Sequence, residues 1–215
     1  DYANPITRTL ALQQKQAGIT PIRLQGLLKT NAATLFDENI FDPYFQESDA
    51  ADPKLSEKII LGKKLFYDNT LSVSKKRSCA TCHKPELYFT DRLAKNAALD
   101  ANKALLRNTP TLLNAALQTA MFYDLRSPSL EHQASDVISN KDEMHGDLEQ
   151  AVQLLSTDTS YTQLFGNAYK AHVITKENIL AAIASYVKSL IGLNSRFDEY
   201  MRGNNQAMNK EEIEG

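Results

Sequence analysis

Apolar and polar positions follow a helical period along most of this chain. The clearest case lies between Ile179 and Leu193. There, four apolar residues recur at three- and four-residue spacing and form one stripe: Leu180, Ile183, Val187 and Leu190. No stretch alternates apolar and polar residues strictly for long, and the hairpin dipeptides Asn-Gly and Asp-Gly are absent from the sequence. The pattern predicts an all-α fold with eight to ten helices.

Helix starts are marked at three places just before apolar-periodic segments. Two residue pairs have the spacing of a capping box, in which the first side chain and the side chain three residues later bond each other's backbone. A serine–proline dipeptide gives the third start, with the proline in the first turn. The predicted starts are Asp147 with Gln150, Ser160 with Gln163, and Ser127-Pro128 at the beginning of a helix through Ile138.

Composition along the chain separates three regions. Residues 1 to about 50 form a polar segment, rich in glutamine and asparagine, that we expect to be helical. Residues 55 to about 125 contain both cysteines and a long polar loop over residues 91–107. Residues 127 to about 203 are the most regular helical block.

Overall composition narrows the class of protein. The 215 residues (24.0 kDa) are 42% hydrophobic, which is enough for a core. The formal net charge of −2 leaves no broad basic surface, so we expect no nucleic-acid partner. The best apolar run, Ile179 to Leu193, is interrupted by Ser185 and Lys188 and is shorter than the roughly 20 residues that span a bilayer. We therefore expect no transmembrane segment.

Both cysteines fall in one short motif, Cys79-Ala80-Thr81-Cys82-His83. This motif is the attachment signature of c-type haem. Two thiols three residues apart on a tight turn can each add to one haem vinyl group, and the adjacent histidine is then held beneath the iron as its axial ligand. The motif predicts one covalently bound haem c in this chain. Covalent haem also places the protein outside the reducing cytosol, and we expect it in a bacterial periplasm.

Other interpretations of the cysteine pair explain less. A structural zinc site needs a second pair of ligands, and His132, His145 and His172 lie far apart with no companion cysteine. A thioredoxin-like redox pair expects a βαβ setting, which the hydrophobic pattern does not show. A structural disulfide between the two cysteines stays open, although it gives His83 no role.

Four blocks of sequence extend the cysteine motif. They are LGKKLFYDNTLSVSKKRSCATCHKPELYFTD (61–91), RNTPTLLNAA (107–116), MFYDLRSPSLEHQ (121–133) and DEM (142–144). In order and spacing they resemble the bacterial di-haem cytochrome c peroxidases and their MauG-like relatives, over residues 55 to about 205. The resemblance implies the N-terminal, peroxidatic haem domain of a two-haem protein, with a cytochrome c-like fold and additional helices.

The resemblance also implies a domain division. We expect a helical N-terminal extension over residues 1–54, the haem domain over 55–207, and the start of a missing second haem domain at 208–215. The last eight residues, MNKEEIEG, resemble LSEKIILG at residues 55–62, which opens the helix before the cysteines, so we expect them to open a helix too. A second haem c is expected in the domain that follows. Because the first residue is Asp rather than Met, we expect a processed or trimmed chain.

The implied activity is that of an enzyme, a cytochrome-c peroxidase. It would reduce hydrogen peroxide to water with electrons from a small c-type cytochrome or a cupredoxin, and the resemblance allows a homodimer. Cys79, Cys82 and His83 match the haem-attachment and proximal-ligand positions of the family. Glu143 matches its distal acid–base glutamate, and Gln133 matches a distal-pocket glutamine.

Further matches concern the haem edge and a second metal. Phe122 and Arg107 are expected to contact the haem, with Arg107 paired to a propionate. Asn108 matches a residue that contributes a ligand to a calcium ion between the two domains. Tyr123 stands where the family commonly has a tryptophan between the haems, in Phe-Trp-Asp-Gly-Arg, and this chain contains no tryptophan. Tyrosine also supports a radical, so we expect Tyr123 to replace that tryptophan in electron transfer.

The chemistry of Glu143 and Gln133 follows from their residue types. A distal carboxylate can move a proton from one peroxide oxygen to the other when a largely apolar pocket raises its pKa, and Val137, Ile138 and Met144 are apolar neighbours of Glu143 in the sequence. Gln133 can donate a hydrogen bond to the departing oxygen and stabilise the charge that develops there.

The sixth iron ligand distinguishes this chain from many relatives. Many of these peroxidases have a loop histidine shortly before the RNTP block that occupies the iron until the second haem is reduced. Residues 84–106 contain no histidine here. Our hypothesis is that the distal position is open or holds water without reductive activation.

Two other functions remain open. A mono-haem electron-transfer module would carry a strong second axial ligand, such as Met121 or Met144. A MauG-like oxidase that modifies another protein would use the same distal glutamate as a peroxidase.

Overall fold

Helices make up the regular structure of this protein. The computed structural model describes residues 3–19, 27–29, 32, 34–45, 52–170 and 173–215. Over these ranges it contains isolated β-bridges but no strand, and three short 3₁₀ turns at Asn69–Leu71, Pro85–Leu87 and Ala115–Leu117. The α-helices within the described ranges are nine: α1 (Ala3–Gln16), α2 (Leu55–Tyr67), α3 (Cys79–Cys82), α4 (Leu130–Ser139), α5 (Leu148–Thr157), α6 (Thr159–Ala168), α7 (Lys176–Lys188), α8 (Arg196–Met201) and α9 (Lys210–Glu214). The all-α prediction is confirmed.

The chain forms two units. One consists of residues 51–190 and contains the cysteine motif, and the other combines residues 1–50 with 191–215. In the described part of the chain, no helix has the length and apolarity needed to cross a membrane. The division at residues 54 and 207 that the resemblance implies stays a prediction.

Helices α2 and α7 form the centre of the larger unit. They cross at Gly62, where a Cβ atom would overlap the carbonyl oxygen of Ala182 and lie 3.0 Å from the Cβ atom of Tyr186. A glycine is therefore required for this close approach of the two backbones.

Two apolar clusters fill the larger unit. The first, which we call the Leu65 cluster, joins α2 to α4, α5, α6 and α7. Its buried residues include Leu61, Leu65, Leu71, Ile138, Met144, Leu155, Phe165 and Ile179. The second, the Phe66 cluster, lies beside the cysteine motif. It consists of Phe66, Ala115, Met121, Leu130, Ala184, Tyr186 and Val187, with Cys79, Ala80 and Phe89 among the partly buried residues packed against it.

The start of α4 is a correction to the sequence prediction. The N-cap is Ser129, whose side chain accepts from the backbone N–H of His132 at 3.3 Å, and not Ser127. Ser127 is buried, and its carbonyl accepts from the backbone N–H of Met121 at 2.8 Å in a β-bridge. Because that bridge holds Ser127 in the preceding segment, Pro128 lies outside the helix.

The starts of α5 and α6 give one confirmation and one correction. Asp147 caps α5 as predicted, since its side chain accepts from the N–H groups of Glu149 and Gln150. The cap of α6 is Asp158 and not Ser160. The Asp158 carboxylate accepts from the backbone N–H of Ser160 at 2.7 Å, whereas the Ser160 hydroxyl accepts from the ammonium group of Lys64.

Helix α7 is shifted towards the N-terminus relative to the apolar stripe. It begins after Thr175, whose hydroxyl accepts from the N–H of Asn178 at 3.1 Å, and it ends at Lys188. Leu190 therefore belongs to the stripe but not to the helix. Its carbonyl accepts from the backbone N–H of Asn114 at 2.9 Å.

The smaller unit is helical only in part. The helical prediction for the first 50 residues is correct at Ala3–Gln16 and wrong for residues 34–45, which form turns and one bridge. The predicted helix start in the last eight residues is confirmed by α9, where Asn209 and Glu212 form a capping box.

Candidate haem site

The cysteine motif forms a single capped helical turn. Ser78 precedes α3, and its backbone N–H donates to the hydroxyl of Thr81 at 2.9 Å. The N–H of His83 donates to the carbonyl of Cys79 at 2.9 Å and closes the turn. Residues three apart on a helical turn share a face, so the turn presents the two sulfurs together and places His83 directly after them.

Both thiols are free and protonated at neutral pH. Burial raises the pKa of Cys79 to about 12 and also raises the pKa of Cys82. The cysteines form no disulfide, so the structural-disulfide interpretation is wrong for this structure. Within the described residues, no three His, Cys, Asp or Glu side chains come together as a metal site. A redox pair would need a lowered thiol pKa, which is the opposite of what the turn produces.

The ring of His83 is held as a neutral imidazole with one nitrogen available. Its Nδ1 lies 3.0 Å from the carbonyl oxygen of Phe89. A carbonyl oxygen can only accept, so Nδ1 carries the proton and Nε2 keeps its lone pair. Burial lowers the pKa of His83, although the carbonyls of Phe89 and Pro110 act in the opposite direction. A neutral histidine whose second nitrogen is fixed by a backbone carbonyl is a typical metal ligand.

Two segments that sequence reasoning left unassigned hold the surroundings of His83 together. The hydroxyl of Thr109 donates to the buried carboxylate of Asp91 at 2.9 Å. The hydroxyl of Thr111 donates to the carbonyl of Tyr88 at 2.6 Å. These bonds join residues 109–111 to residues 88–91. The carbonyls of Phe89 and Pro110, which act on the His83 ring, therefore belong to two segments that are held together.

These residues fit a covalently held haem c. The turn supplies two unoxidised sulfurs, a neutral histidine nitrogen follows it, and the apolar Phe66 cluster packs against Cys79 and Phe89. Each feature matches what attachment, ligation and an apolar porphyrin require.

Glu143 lies on a turn that follows α4, and its carboxyl group is partly buried. Burial raises the pKa of Glu143, whereas a hydrogen bond from Asn140 and the charges of Arg126 and Arg77 act to lower it. The Asn140 side-chain amide donates to Oε1 at 2.8 Å. The raised pKa agrees with the direction expected from the apolar neighbours of Glu143. Asn140 was not anticipated, although its position three residues before Glu143 is a usable sequence signal.

The backbone of the Glu143 turn is held from outside at three consecutive carbonyls. The oxygen of Asp142 accepts from the N–H of Leu99 at 2.6 Å, and that of Met144 accepts from the N–H of Val73 at 3.2 Å. Between them, the oxygen of Glu143 accepts from the Arg77 guanidinium at 3.4 Å. The turn is thus tied both to the chain that leads into the cysteine motif and to the polar loop.

Gln133 lies on α4 in a half-buried position. Its backbone N–H donates to the carbonyl of Ser129 at 3.0 Å in the first turn of the helix. Helix α4 therefore carries Gln133 near its start and leads into the Glu143 turn at its end. Their distal roles stay predictions.

The predicted haem-edge residues form a charged and aromatic group. Asp124 accepts from Arg107 at 3.3 Å and from Arg126 at 2.8 Å. The guanidinium of Arg126 lies 3.5 Å from the ring centre of Phe122, which has a left-handed backbone conformation with φ 65°. Tyr123 is 90% exposed. Arg107 is thus paired with a carboxylate, and its contact with a haem propionate stays a prediction.

The predicted calcium ligand and the other histidines are at the surface or outside the described residues. Asn108 is exposed, and its part in a calcium site stays a prediction. His132 and His145 are exposed, and Nδ1 of His132 lies 3.1 Å from the hydroxyl of Ser129. His172 lies outside the described residues.

The helical fold and the cysteine turn fit a domain that binds c-type haem, and comparison with known proteins identifies the family. The chain belongs to the di-haem cytochrome c peroxidase family, whose sequence model matches residues 56–206. The resemblance seen in the sequence is confirmed.

The relatives of this chain include proteins named MauG and proteins named cytochrome c peroxidase. The methylamine utilization protein MauG of Methylorubrum extorquens is 37% identical over 159 residues, which are 74% of this chain and 45% of that protein. The cytochrome c551 peroxidase of Nitrosomonas europaea is 31% identical over 166 residues, which are 77% of this chain and 49% of that protein. The chain therefore spans about half the length of these relatives.

Solved structures show the same fold. A MauG-like protein associated with microbial copper homeostasis matches with a TM-score of 0.64 and 27% identity, over 68% of this chain and 44% of that one. The diheme peroxidase BthA from Burkholderia thailandensis matches with a TM-score of 0.60 and 22% identity, over 75% of this chain and 45% of that one, which supports the fold alone. The cytochrome c-like helical architecture is thereby confirmed.

Proposed function

We propose that this chain is the peroxidatic haem domain of a two-haem cytochrome-c peroxidase. It would reduce hydrogen peroxide to water in the periplasm, with electrons from a small cytochrome or cupredoxin passed through a second haem domain that begins after residue 208. The proposal is carried by one observation. A partly buried carboxyl group with a raised pKa, Glu143, lies on a turn that is tied to the haem attachment segment.

The proximal side is set by the cysteine turn. When bound through Cys79 and Cys82, the haem supplies an iron that takes up peroxide and passes on electrons. His83 would hold the iron through Nε2, because the carbonyl of Phe89 fixes the ring and keeps the proton on Nδ1.

Glu143 would move the proton on the distal side. Its Oε1 atom is engaged by the Asn140 amide, so Oε2 is the oxygen that takes a proton from one peroxide oxygen and returns it to the other. A raised pKa suits both halves of this transfer, since the group must accept a proton and then release it. Gln133 would donate a hydrogen bond to the departing oxygen as charge develops there. Two electrons and two further protons complete the reduction of one peroxide to two waters.

The haem-edge residues are proposed to connect the two halves of the protein. Tyr123 would pass electrons between the haems, and its high exposure leaves it accessible to a following domain. Phe122 and Arg107 would contact the haem edge, and Asn108 would contribute to a calcium site between the domains. Because residues 84–106 contain no histidine, the distal iron position would be open before reduction.

The test is Glu143→Gln in the haem-loaded, full-length protein. We expect peroxide turnover with a reduced donor to fall at least about 100-fold, since the amide cannot move a proton. Haem content and the visible spectrum should stay unchanged. Glu149→Gln is the matched control, because Glu149 is exposed on α5 and pairs with Lys176. Full turnover by Glu143→Gln would remove the acid–base role.

A protein-modifying oxidase is the second candidate, and the 37% identity to a protein named MauG favours it. Both enzymes need Glu143, so the substrate separates them: a peroxidase turns over with a reduced cytochrome, whereas an oxidase requires a protein substrate.

A mono-haem electron-transfer module would instead place Met121 or Met144 on the iron and keep its function in Glu143→Gln. Both methionines are buried in the apolar clusters.

A further inference from the structure

Arg77 lies two residues before the first cysteine, at the end of the segment that leads into the attachment turn. Nothing in the sequence motif requires an arginine there. Its side chain is nevertheless half-buried, and its backbone N–H donates to the hydroxyl of Ser72 at 3.4 Å. The segment therefore folds back on itself, and the guanidinium reaches two other segments of the chain.

The Arg77 guanidinium joins two distant segments through backbone carbonyls. One terminal nitrogen donates to the carbonyl of Glu143 at 3.4 Å. The other donates to the carbonyls of Ala97 at 3.2 Å and Ala98 at 2.5 Å. A planar guanidinium can make these bonds at once because its N–H groups form a rigid fork.

The joined segments also bond each other. The N–H of Leu99 donates to the carbonyl of Asp142, and the N–H of Val73 donates to that of Met144. Residues 72–77, 97–99 and 142–144 therefore meet in one hydrogen-bonded junction. The Arg77 side chain bonds both the 97–99 loop and the 142–144 turn, so the positions of these two segments depend on the same group.

We propose that Arg77 is a positioning residue for Glu143, holding the 142–144 turn and the 97–99 loop in one fixed arrangement beside the haem attachment turn. This inference rests on the proposed acid–base role of Glu143. Arg77 bonds the backbone carbonyl of Glu143 and not its carboxylate. It therefore fixes the position of the residue without occupying the group that would transfer the proton.

The charge of Arg77 adds a second effect that can be measured. Asn140, Arg126 and Arg77 act to lower the pKa of Glu143, whereas burial and the charge of Asp142 raise it. Removing Arg77 should therefore raise this pKa further and move the acidic limb of the turnover profile to higher pH. A lysine at position 77 restores the charge but cannot span three carbonyls from one nitrogen.

The experiment compares Arg77→Met and Arg77→Lys in the haem-loaded, full-length protein. Hydrogen exchange at the amides of Leu99 and Val73 reports the junction directly and does not depend on activity. We expect Arg77→Met to accelerate exchange at both amides by about tenfold or more. It should also lower kcat by about tenfold or more and move the acidic limb upwards. Arg77→Lys should restore the acidic limb but not the slow exchange.

Arg202→Met is the matched control. Arg202 also donates to two backbone carbonyls, those of Phe36 at 3.1 Å and Leu193 at 2.8 Å, but within the smaller unit. It should leave exchange at Leu99 and Val73 and the turnover profile unchanged.

The outcomes separate this inference from the proposed function. Loss of turnover in Glu143→Gln together with wild-type exchange and turnover in Arg77→Met would overturn the role of Arg77 alone. Faster exchange with an unchanged kcat and pH profile would also overturn it, since Arg77 would then stabilise the fold without positioning Glu143. Full turnover in Glu143→Gln would overturn the proposed function first. If Arg77→Met does not fold, exchange at Leu99 in Arg77→Lys decides, and slow exchange there counts against the inference.

Discussion

Adding one methyl group at Gly62 tests how closely α2 and α7 support the haem site. A Cβ atom at this position would overlap the carbonyl oxygen of Ala182 and lie 3.0 Å from the Cβ atom of Tyr186. The first obstacle is backbone, so no change of rotamer relieves it and the two helices must separate. Gly62→Ala is therefore an overpacking change at the centre of the larger unit.

The expected magnitude follows from two opposing contributions. Overpacking a filled core costs about 1–3 kcal/mol, and an obstacle made of backbone places Gly62→Ala near the upper end. Alanine is favoured over glycine inside a helix by about 1 kcal/mol, which offsets part of this cost. We expect the free energy of unfolding to fall by about 2 kcal/mol.

Urea unfolding of the haem-loaded protein, followed by far-UV circular dichroism, measures this change. The Soret band should also shift, because the ring of Tyr186 packs 5.2 Å from that of Phe66, which in turn lies 6.2 Å from Phe89. Gly192→Ala is the matched control, since no atom beyond the neighbouring residues in the chain lies within 4 Å of the added carbon. Unchanged or increased stability in Gly62→Ala would refute the argument that the crossing requires a glycine.

Two further predictions concern hydrogen bonds to a half-buried and to a buried carboxylate. Asp68→Asn should lower the free energy of unfolding by about 1–3 kcal/mol at pH 7, because Asp68 accepts from Tyr161 at 2.5 Å and Thr70 at 2.6 Å. Burial acts to raise the pKa of Asp68, but these bonds hold it below its ordinary value of 3.8. The loss of unfolding free energy in Asp68→Asn should therefore shrink when urea titrations are made below pH 3.8. An equal loss at about pH 7 and about pH 3 would contradict this. Thr109→Val should cost about 1–3 kcal/mol in the same assay, because the Oδ2 atom of the buried Asp91 loses the hydroxyl that donates to it. Thr109→Ser keeps a hydroxyl and should remain near wild type. Equal stability of the Val and Ser variants would show that the bond contributes nothing.

The features that depend on neighbours in the chain could be predicted from the sequence. The cysteine motif works through residues three and four apart, so its spacing alone indicates the attachment turn and its histidine. Helix periodicity was sufficient for the fold class. Among the helix starts, Asp147 was correct and Ser127 was wrong, because a bridge to Met121 holds Ser127 in the preceding segment and leaves the cap to Ser129.

The features that depend on distant segments could not be predicted. A carboxylate in a turn looks like a solvated one, so Glu143 was indicated by the family resemblance and not by its own surroundings. The bonds from Leu99, Arg77 and Val73 to the Glu143 turn end on backbone carbonyls, which every residue has. Such contacts leave no side-chain pattern in the sequence. Arg77 therefore looks like an ordinary surface charge until the three segments are seen together.

The packing of the Phe66 cluster against Cys79 has a consequence for how a haem could be attached. A sulfur–carbon link forms more easily from a reactive, accessible sulfur. Burial raises the pKa of Cys79 to about 12, so this thiol reacts poorly at neutral pH. On the proposed function, haem is therefore best attached before the Phe66 cluster packs against Cys79. Haem attachment would then precede folding: the haem would join an unfolded chain, and the apolar core would pack around it afterwards.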